Sequence, residues 1–375
     1  MINTIAVLGA GKVGGCIAQT LSERYSIIVA DSSENALRRF EGNSSIKTVC
    51  CDLRGNINEI APLKEADLFV GAVPGWMGYE LMSKLAVFGK PVVDISFFPE
   101  DAKELDELYR KNKSVLIPDA GVAPGLSNFI LGYYNKIYSL NSFKCYVGGL
   151  PKERKYPHEY CAPFSPIDVI EEYTRPARFV SDGSLIIEEA LSGPEIITFP
   201  RVGELEAFNT DGLRSLLHTM KLPDMKEMTL RYPKHAEYMR FLKSAGFFDE
   251  KEITVNGKSI SPRDVSALLL TDAWKGEPGY DEFTLMRVEM GYTKDQADGV
   301  IICDLYDERD QATGFSSMER TTGYTCCAFT ELISEGLITE SGVVFPENLP
   351  HDTSVFQKVI GYLTERGIAI SFQEE

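Results

Sequence analysis

The residues of this 375-residue chain that most clearly specify chemistry lie near its start. Gly9, Gly11 and Gly14 have the spacing G-x-G-x-x-G and stand between a run of apolar β-formers and a helical stretch. In that context the first glycine permits a tight turn, the second lets the backbone approach a pyrophosphate, and the third lets helix pack on strand. The free N–H groups at the start of the helix would hold the phosphates. The motif predicts a dinucleotide-binding site.

A carboxylate follows the glycine motif at the sequence spacing expected for ribose recognition. Asp31 ends the second predicted strand, where it would accept hydrogen bonds from ribose hydroxyls and repel a 2′-phosphate, so the predicted cofactor is NAD. Asp52 and the stretch 72–74 follow the third and fourth predicted strands, although ordinary loop chemistry is the alternative there. The predicted cofactor contacts are Gly9, Ala10, Gly11, Lys12, Val13, Gly14, Asp31, Ser32, Asp52, Leu53, Ala72, Val73 and Pro74.

The elements that position this site are readable from the apolar pattern. Over the first 120 residues, short β-rich runs alternate with helical stretches. The predicted strands are nearly continuous apolar runs, as expected when helices cover both faces of a parallel sheet. Repeated β-α units predict a doubly wound Rossmann sheet. After Ser142 the predicted strands become longer and partly alternating, and Asn256-Gly257 predicts a tight hairpin, which together indicate a mixed sheet with helices.

Three titratable residues are the candidates for proton transfer. Asp94 and Asp119 follow predicted strands, and parallel sheets bind ligands beyond the carboxyl ends of their strands. Each could remove a proton from an ammonium group, or could instead accept a helix-cap or turn hydrogen bond. His158 lies on a proline-rich loop and has a side chain suited to proton transfer near neutrality, or it could be an ordinary surface histidine. The residues alone leave the choice among the three open.

The candidate substrate contacts lie in the middle of the chain. Tyr160 belongs to the same proline-rich loop, and Thr210 and Arg214 belong to a polar stretch with a glycine break. Arg214 and Arg231 are candidates for holding an α-carboxylate through a guanidinium fork, although either arginine could equally form an ion pair within the protein.

Charge and composition exclude other classes of partner. Lys and Arg total 38 against 55 Asp and Glu, for a net charge of −17, which disfavours nucleic acid and anionic membranes. No apolar run approaches membrane-spanning length, and Met1 leads directly into a predicted strand, so we expect a cytoplasmic protein. The eight cysteines and four histidines lack metal-site spacings, so we expect reduced thiols and no metal.

The sequence resembles the saccharopine dehydrogenase-like family, and within it the lysine 6-dehydrogenases. The stretches at 119–125 and 206–210 are the most specific, whereas the glycine motif indicates only a dinucleotide fold. The resemblance also adds His235 to the candidate substrate contacts. It covers nearly the whole chain and runs through Val7–Gly11, Ile117–Gly125, Tyr146–Pro151, Phe164–Pro166, Leu205–Thr210, Arg231-Tyr232, His235–Glu237, Gly323-Tyr324 and Gly342–Pro346.

The resemblance implies both an architecture and a reaction. The architecture is a Rossmann domain at 1–122, an inserted α+β domain for substrate binding and oligomerisation at 123–310, and a C-terminal segment at 311–375 that returns to the Rossmann domain. The reaction is NAD-dependent oxidation of the L-lysine side-chain amine to allysine, which cyclises to piperideine-6-carboxylate, with release of ammonia. A homodimer or higher homo-oligomer is expected. Saccharopine or carboxynorspermidine dehydrogenase activity, and a non-catalytic NAD-binding sensor, are the alternatives.

Overall fold

The computed structural model describes residues 2–162, 166–277, 279–294, 297–350 and 352–375. The chain folds into two compact units. Unit 1 comprises residues 1–137 and 318–368, and unit 2 comprises residues 138–317 and 369–375.

Eighteen strands are formed by the described residues. In chain order they are β1 (Thr4–Leu8), β2 (Ser26–Asp31), β3 (Ile46–Cys50), β4 (Leu68–Gly71), β5 (Val92–Asp94), β6 (Val115–Ile117), β7 (Leu140–Pro151), β8 (Ala177–Ser181), β9 (Ser184–Glu188), β10 (Glu195–Phe199), β11 (Gly203–Asn209), β12 (Asp224–Arg231), β13 (Ile253–Val255), β14 (Lys258–Ile260), β15 (Glu282–Lys294), β16 (Ala297–Glu308), β17 (Gly342–Val343) and β18 (Ala369–Glu374).

Eleven α-helices lie within the same described ranges. They are α1 (Lys12–Leu21), α2 (Glu34–Leu37), α3 (Gly75–Leu85), α4 (Asp106–Lys111), α5 (Leu126–Ile137), α6 (Pro166–Thr174), α7 (Leu216–Thr219), α8 (His235–Ser244), α9 (Pro262–Ala273), α10 (Ser317–Ser334) and α11 (Thr353–Thr364).

Unit 1 is built on a seven-stranded sheet with the order β17-β6-β5-β4-β1-β2-β3, in which every neighbouring pair is parallel. The central strands β1 and β4 are buried along nearly their whole length, because helices cover both faces. Six of these strands, in the order 3-2-1-4-5-6 read from the β3 edge, have the doubly wound arrangement that the sequence predicts. The Rossmann prediction is confirmed, and β17 extends the sheet by one further strand.

Helices α5, α10 and α11 pack together within unit 1. The ring centroid of Phe129 on α5 lies 5.7 Å from that of Phe329 on α10, and Tyr133 stacks on Phe356 of α11 at 3.8 Å. These contacts place α5 in unit 1. The predicted Rossmann domain ends at residue 122, so the prediction assigned α5 to the inserted domain instead. The last strand, β18, pairs with β16 and therefore belongs to unit 2.

Unit 2 contains a nine-stranded sheet whose main path is β10-β11-β12-β7-β15-β16-β18, with β8 beside β12 and β9 beside β8. The β12–β7 pair is parallel and the other neighbours are antiparallel, so the predicted mixed sheet is confirmed. The sequence predicts an antiparallel pair at Val288–Tyr292 and Gly299–Asp307, and the observed strands β15 and β16 are longer. A core that includes Tyr173, Phe208, Leu230 and Trp274 is buried in this unit.

Among the described residues, no disulfide bond joins any of the eight cysteines, and five of them are buried. Burial raises the pKa of Cys16 to about 12, so its thiol is protonated at neutral pH. In the described ranges, no helix combines the length and apolar character required to cross a bilayer, and no group of three His, Cys, Asp or Glu side chains is arranged to hold a metal ion.

Candidate cofactor and substrate sites

The glycine-rich turn lies at the carboxyl end of β1, and two of its glycines are required by close packing. Gly9 has a φ of +113°, and a Cβ there would lie 2.2 Å from the carbonyl oxygen of Ala72, just after β4. A Cβ on Gly14 would lie 2.1 Å from the carbonyl oxygen of Gly9. Such distances are shorter than any real contact, so this turn and α1 can approach β4 only because both residues lack a side chain.

Gly11 differs from its neighbours because the protein itself does not require a glycine there. It is the N-cap of α1 with a φ of −64°, which any residue adopts, and a Cβ would meet no atom within 4 Å. Lys12 and Val13 are the first residues of α1, and no side chain caps this N-terminus of the helix. An uncapped helix start beside open space fits a pyrophosphate, whose oxygens would accept hydrogen bonds from the backbone N–H groups.

Replacing Gly11 with alanine is therefore expected to weaken cofactor binding without unfolding the protein. A methyl group would occupy the space that the phosphates need, and the loss of one or more backbone hydrogen bonds should raise Kd at least about tenfold. Fluorescence titration with NADH and with NADPH measures this change. Gly361→Ala, at another open position on α11, is the matched control. Equal affinities in the two variants would remove the pyrophosphate role from Gly11.

Two opposite charges lie beside the same turn. The Asp31 carboxylate accepts hydrogen bonds from the backbone N–H groups of Ala10 and Ser33, both at 2.7 Å. Arg39, which sequence reasoning missed, donates from Nη1 to the carbonyl oxygen of Gly11 at 3.0 Å. In Rossmann domains a carboxylate binds the ribose hydroxyls of NAD, whereas a nearby arginine accommodates the 2′-phosphate of NADP. The two residues therefore favour different cofactors.

The remaining predicted cofactor contacts have mixed surroundings. Asp52 is exposed and bonds the guanidinium of Arg54 at 2.7 Å, and this hydrogen bond lowers the pKa of Asp52 to about 2. Leu53 is buried, whereas Ser32 is exposed at the end of β2. The stretch 72–74 links β4 to α3. An adenosine contact at Asp52 would have to accommodate its pairing with Arg54.

The two candidate catalytic aspartates follow neighbouring strands of the unit 1 sheet. Asp94 ends β5, is fully buried, and accepts hydrogen bonds from the backbone N–H of Ser96 at 3.0 Å and from its hydroxyl at 2.8 Å. Asp119 follows β6, is 4% exposed, and has a left-handed φ of +53°. Because the hydroxyl and amide of Ser96 bind Asp94 locally, its geometry is that of a turn acceptor.

The turn that begins at Asp119 is held by polar groups that sequence reasoning missed. The amide of Asn128 on α5 accepts from the backbone N–H of Gly125 at 3.4 Å and donates to Glu347 at 3.2 Å. Asn128 and Glu347 are both almost completely buried. A Cβ on Gly125 would lie 2.1 Å from the carbonyl oxygen of Gly121, so the turn closes tightly on itself. No local pattern could connect residues 128 and 347.

In unit 2, Arg231 is at the centre of a buried polar cluster. Its guanidinium donates to Glu172 at 3.0 Å, to the Tyr173 hydroxyl at 3.0 Å and to the carbonyl oxygen of Leu230 at 2.9 Å. It also lies 4.5 Å from the ring centroid of Tyr160, at cation–π distance. Burial raises the pKa of Tyr173 to about 12. The protein itself therefore occupies the donors of Arg231.

His235 completes this cluster. Its Nε2 lies 3.0 Å from the Tyr173 hydroxyl, and its Nδ1 lies 3.3 Å from the carbonyl oxygen of His158. Burial, followed by the charge of Arg231, lowers the pKa of His235 to about 3, so the ring is neutral at physiological pH. The structure thus brings together Tyr160, Arg231, His235 and the backbone of His158. Pro163, Phe164 and Ser165 of the same loop lie outside the described residues.

A second polar group lies around the loop after β11. The Asp211 carboxylate forms a two-point ion pair with Arg178, at 2.7 and 2.8 Å. Arg214 is buried at a φ of +48°, and Thr210 exchanges a hydrogen bond with Thr229 at 2.9 Å. Arg175, which sequence reasoning missed, is largely buried, and that burial together with the nearby positive charge of Arg214 lowers its pKa. Two guanidinium groups therefore share one region of unit 2.

Comparisons with known proteins agree with this architecture. Residues 5–117 match the family model of the saccharopine dehydrogenase NADP binding domain, and residues 121–368 match that of the saccharopine dehydrogenase C-terminal domain. The chain is also similar to the curated saccharopine dehydrogenase [NADP(+), L-glutamate-forming] of Schizosaccharomyces pombe (strain 972 / ATCC 24843). The two are 22% identical, over 98% of each chain.

A solved structure has the same fold. The apo histidine-tagged saccharopine dehydrogenase (L-Glu forming) from Saccharomyces cerevisiae superposes with a TM-score of 0.81, at 17% identity and 100% coverage of both chains. An amine dehydrogenase from Mycobacterium smegmatis reaches a TM-score of 0.45, at 12% identity over 93% of this chain and 96% of that chain. With two family models that together span nearly the whole sequence, the chain belongs to the saccharopine dehydrogenase family and is an oxidoreductase with an NAD(P)-binding domain.

Proposed function

We propose that this protein is an NAD-dependent dehydrogenase that oxidises the side-chain amine of L-lysine. The products would be ammonia and allysine, which cyclises to piperideine-6-carboxylate. The observation that carries the choice of substrate is the set of arginines in unit 2, because a buried substrate carboxylate needs a cationic partner.

Most arginines near the unit 2 core already pair with protein carboxylates. Arg231 pairs with Glu172 and Arg178 with Asp211, and Arg263 lies 3.1 Å from Glu171. A carboxylate bound at any of these would have to displace a protein group. A substrate with one carboxylate, such as lysine, requires fewer cations than saccharopine, which has three.

Arg214 is the proposed partner of the lysine α-carboxylate, with Arg175 beside it. Arg175 lies 3.8 Å from Glu171, yet burial and the charge of Arg214 together lower its pKa, so a bound anion would further offset the charge of the two guanidinium groups. Of the two arginines predicted from the sequence, Arg231 is better explained as a structural residue.

Asp119 is the proposed general base. It is buried at the carboxyl end of a parallel strand and has a left-handed backbone, and such backbone conformations cluster at functional sites. Free lysine has a side-chain pKa of ~10.4, and its ammonium must lose a proton before the nitrogen lone pair can assist loss of hydride from the adjacent carbon. A bound nicotinamide supplies the hydride acceptor. Water then adds to the oxidised carbon, and ammonia leaves.

One assay tests the proposed reaction. The rates of cofactor reduction are measured with L-lysine and with saccharopine, each with NAD and NADP over a pH series. Lysine-dependent NAD reduction with release of one ammonia per cofactor is the expected result. Absence of reduction with lysine at every pH, under conditions in which the protein binds cofactor, would refute the substrate assignment.

Oxidation of saccharopine with formation of glutamate is the second candidate. It is favoured by the similarity to two L-glutamate-forming saccharopine dehydrogenases over at least 98% of this chain. In the same assay it predicts faster reduction with saccharopine than with lysine, and glutamate in place of ammonia as the released nitrogen compound.

Cofactor choice is tested at Asp31 and Arg39. Asp31→Ser removes the charge that would repel a 2′-phosphate, so the ratio of kcat/KM for NADP to that for NAD should rise about tenfold or more. Arg39→Ala is the companion variant and should lower that ratio. Steady-state kinetics with both cofactors measure it. If Asp31→Ser leaves the ratio unchanged, Asp31 does not select the cofactor.

A further inference from the structure

Gly15 is a buried glycine in the first half of α1, directly after the glycine-rich turn. A glycine inside a regular helix is unexpected, because it lowers helix stability relative to alanine. Gly14, one residue earlier, is explained by the carbonyl oxygen of Gly9, which leaves no room for a Cβ. The reason for a second glycine at residue 15 lies in what contacts it.

The guanidinium of Arg39 lies against Gly15. The three atoms nearest to the position that a Cβ on Gly15 would take are Nη1, Cζ and Nε of Arg39, all within 3.3 Å. Two of them lie closer than 3.0 Å, a distance that real Cβ atoms essentially never show. An alanine at residue 15 and the guanidinium in its present place therefore exclude each other.

A hydrogen bond holds the guanidinium there. Nη1 of Arg39 donates to the carbonyl oxygen of Gly11 at 3.0 Å, and the backbone N–H of Gly15 donates to the same oxygen at 2.8 Å. Arg39 and the first turn of α1 thus share one acceptor, which keeps the cation beside the start of the helix. Because this acceptor is a neutral oxygen, the bond leaves the positive charge of Arg39 uncompensated.

This place is next to the predicted ribose contact. Asp31 accepts from the backbone N–H of Ala10 at 2.7 Å, and Arg39 bonds to Gly11, the next residue of the same turn. Arg39 is also exposed, so a ligand can reach its guanidinium. A guanidinium at this point can donate to the oxygens of a 2′-phosphate, whereas NAD has only a hydroxyl there.

We propose that Gly15 determines cofactor selectivity through Arg39. Because residue 15 has no side chain, the guanidinium lies on α1 and remains available to the 2′-phosphate of NADP. Gly15 acts through another residue and is therefore a positioning residue. The proposal rests on the role given to Arg39 above and is independent of the substrate.

Gly15→Ala tests the proposal, with the Kd for NADPH and for NADH measured by fluorescence titration in the absence of substrate. The added methyl group should displace the guanidinium, which is the far end of a flexible side chain, so the Kd for NADPH should rise about tenfold. The Kd for NADH should change less than about twofold. Thermal unfolding without cofactor should give a Tm equal to or above that of the wild-type protein, since alanine is the better helix former.

The double variant Gly15→Ala/Arg39→Ala completes a double-mutant cycle. In the Arg39→Ala background, Gly15→Ala should leave the Kd for NADPH unchanged, because no guanidinium remains to be displaced. Gly361→Ala, where a Cβ on α11 would meet no atom within 4 Å, is the control for a methyl group added to a helix glycine. It should leave both Kd values unchanged.

Several results would overturn the proposal. An equal rise in Kd for both cofactors would mean that the methyl group acts on the part of the site that NAD and NADP share. An unchanged NADPH affinity in Gly15→Ala, beside a reduced one in Arg39→Ala, would refute the role of Gly15 alone. The same holds if Gly15→Ala weakens NADPH binding just as much in the Arg39→Ala background. A wild-type protein that binds NADPH no better than Arg39→Ala does would refute both roles.

Discussion

Asp119→Asn is expected to lower kcat/KM for the proposed lysine oxidation by about 10²–10⁴-fold, the usual contribution of a general base. Asparagine has nearly the same shape and tolerates the left-handed backbone at this position, so the turn should keep its conformation. What is lost is the ability to take the proton from the ammonium group. Initial rates over a pH series, with cofactor affinity measured in parallel, separate this loss from misfolding.

Asp94→Asn is the matched control for that variant. Asp94 is an equally buried aspartate on the neighbouring strand, but its carboxylate is bonded by the amide and hydroxyl of Ser96. Its substitution should reduce stability and change kcat/KM only a few-fold. If Asp94→Asn or His158→Gln reduces kcat/KM more than Asp119→Asn does, the base has been assigned to the wrong residue.

Arg231→Met is expected to lower the free energy of unfolding by about 3 kcal/mol. The substitution removes the charged hydrogen bonds to Glu172 and Tyr173 and leaves a carboxylate only 21% exposed without its cation. Urea denaturation at neutral pH measures the change. Lysine KM in the same variant should stay nearly unchanged, because we propose a structural role for Arg231 and loss of folded protein lowers only the apparent kcat.

An exposed pair provides the reference for that measurement. Arg110 and Asp106 lie 2.7 Å apart on α4, and the Arg110 side chain is 60% exposed. Arg110→Met should therefore leave the urea midpoint nearly unchanged. Unchanged stability in Arg231→Met, together with a large rise in lysine KM, would indicate that Arg231 binds the substrate.

Local patterns were sufficient for the elements that begin and end within a few residues. The apolar strands and the glycine spacing predict the Rossmann sheet, because both depend on near neighbours and on the backbone freedom of glycine. The hairpin at Asn256-Gly257 is confirmed for the same reason, since both residues have a positive φ as its two-residue turn requires. Strand β11 was missed, because its mixed polar residues at 203–209 lack a clear alternation.

By itself the sequence determined a dinucleotide fold joined to a mixed sheet, and it identified Asp31 and Asp119 as residues that follow strands. Only the tertiary structure decided which polar side chains meet: Arg231 with Glu172, 59 residues away, and Asn128 with Glu347, 219 residues away. Only the structure, too, showed that Leu268 and Leu269 of α9 are exposed whereas the next residue, Leu270, is buried. The physical reason is that backbone preferences act between near neighbours, whereas ion pairing and exposure depend on what the folded chain brings alongside.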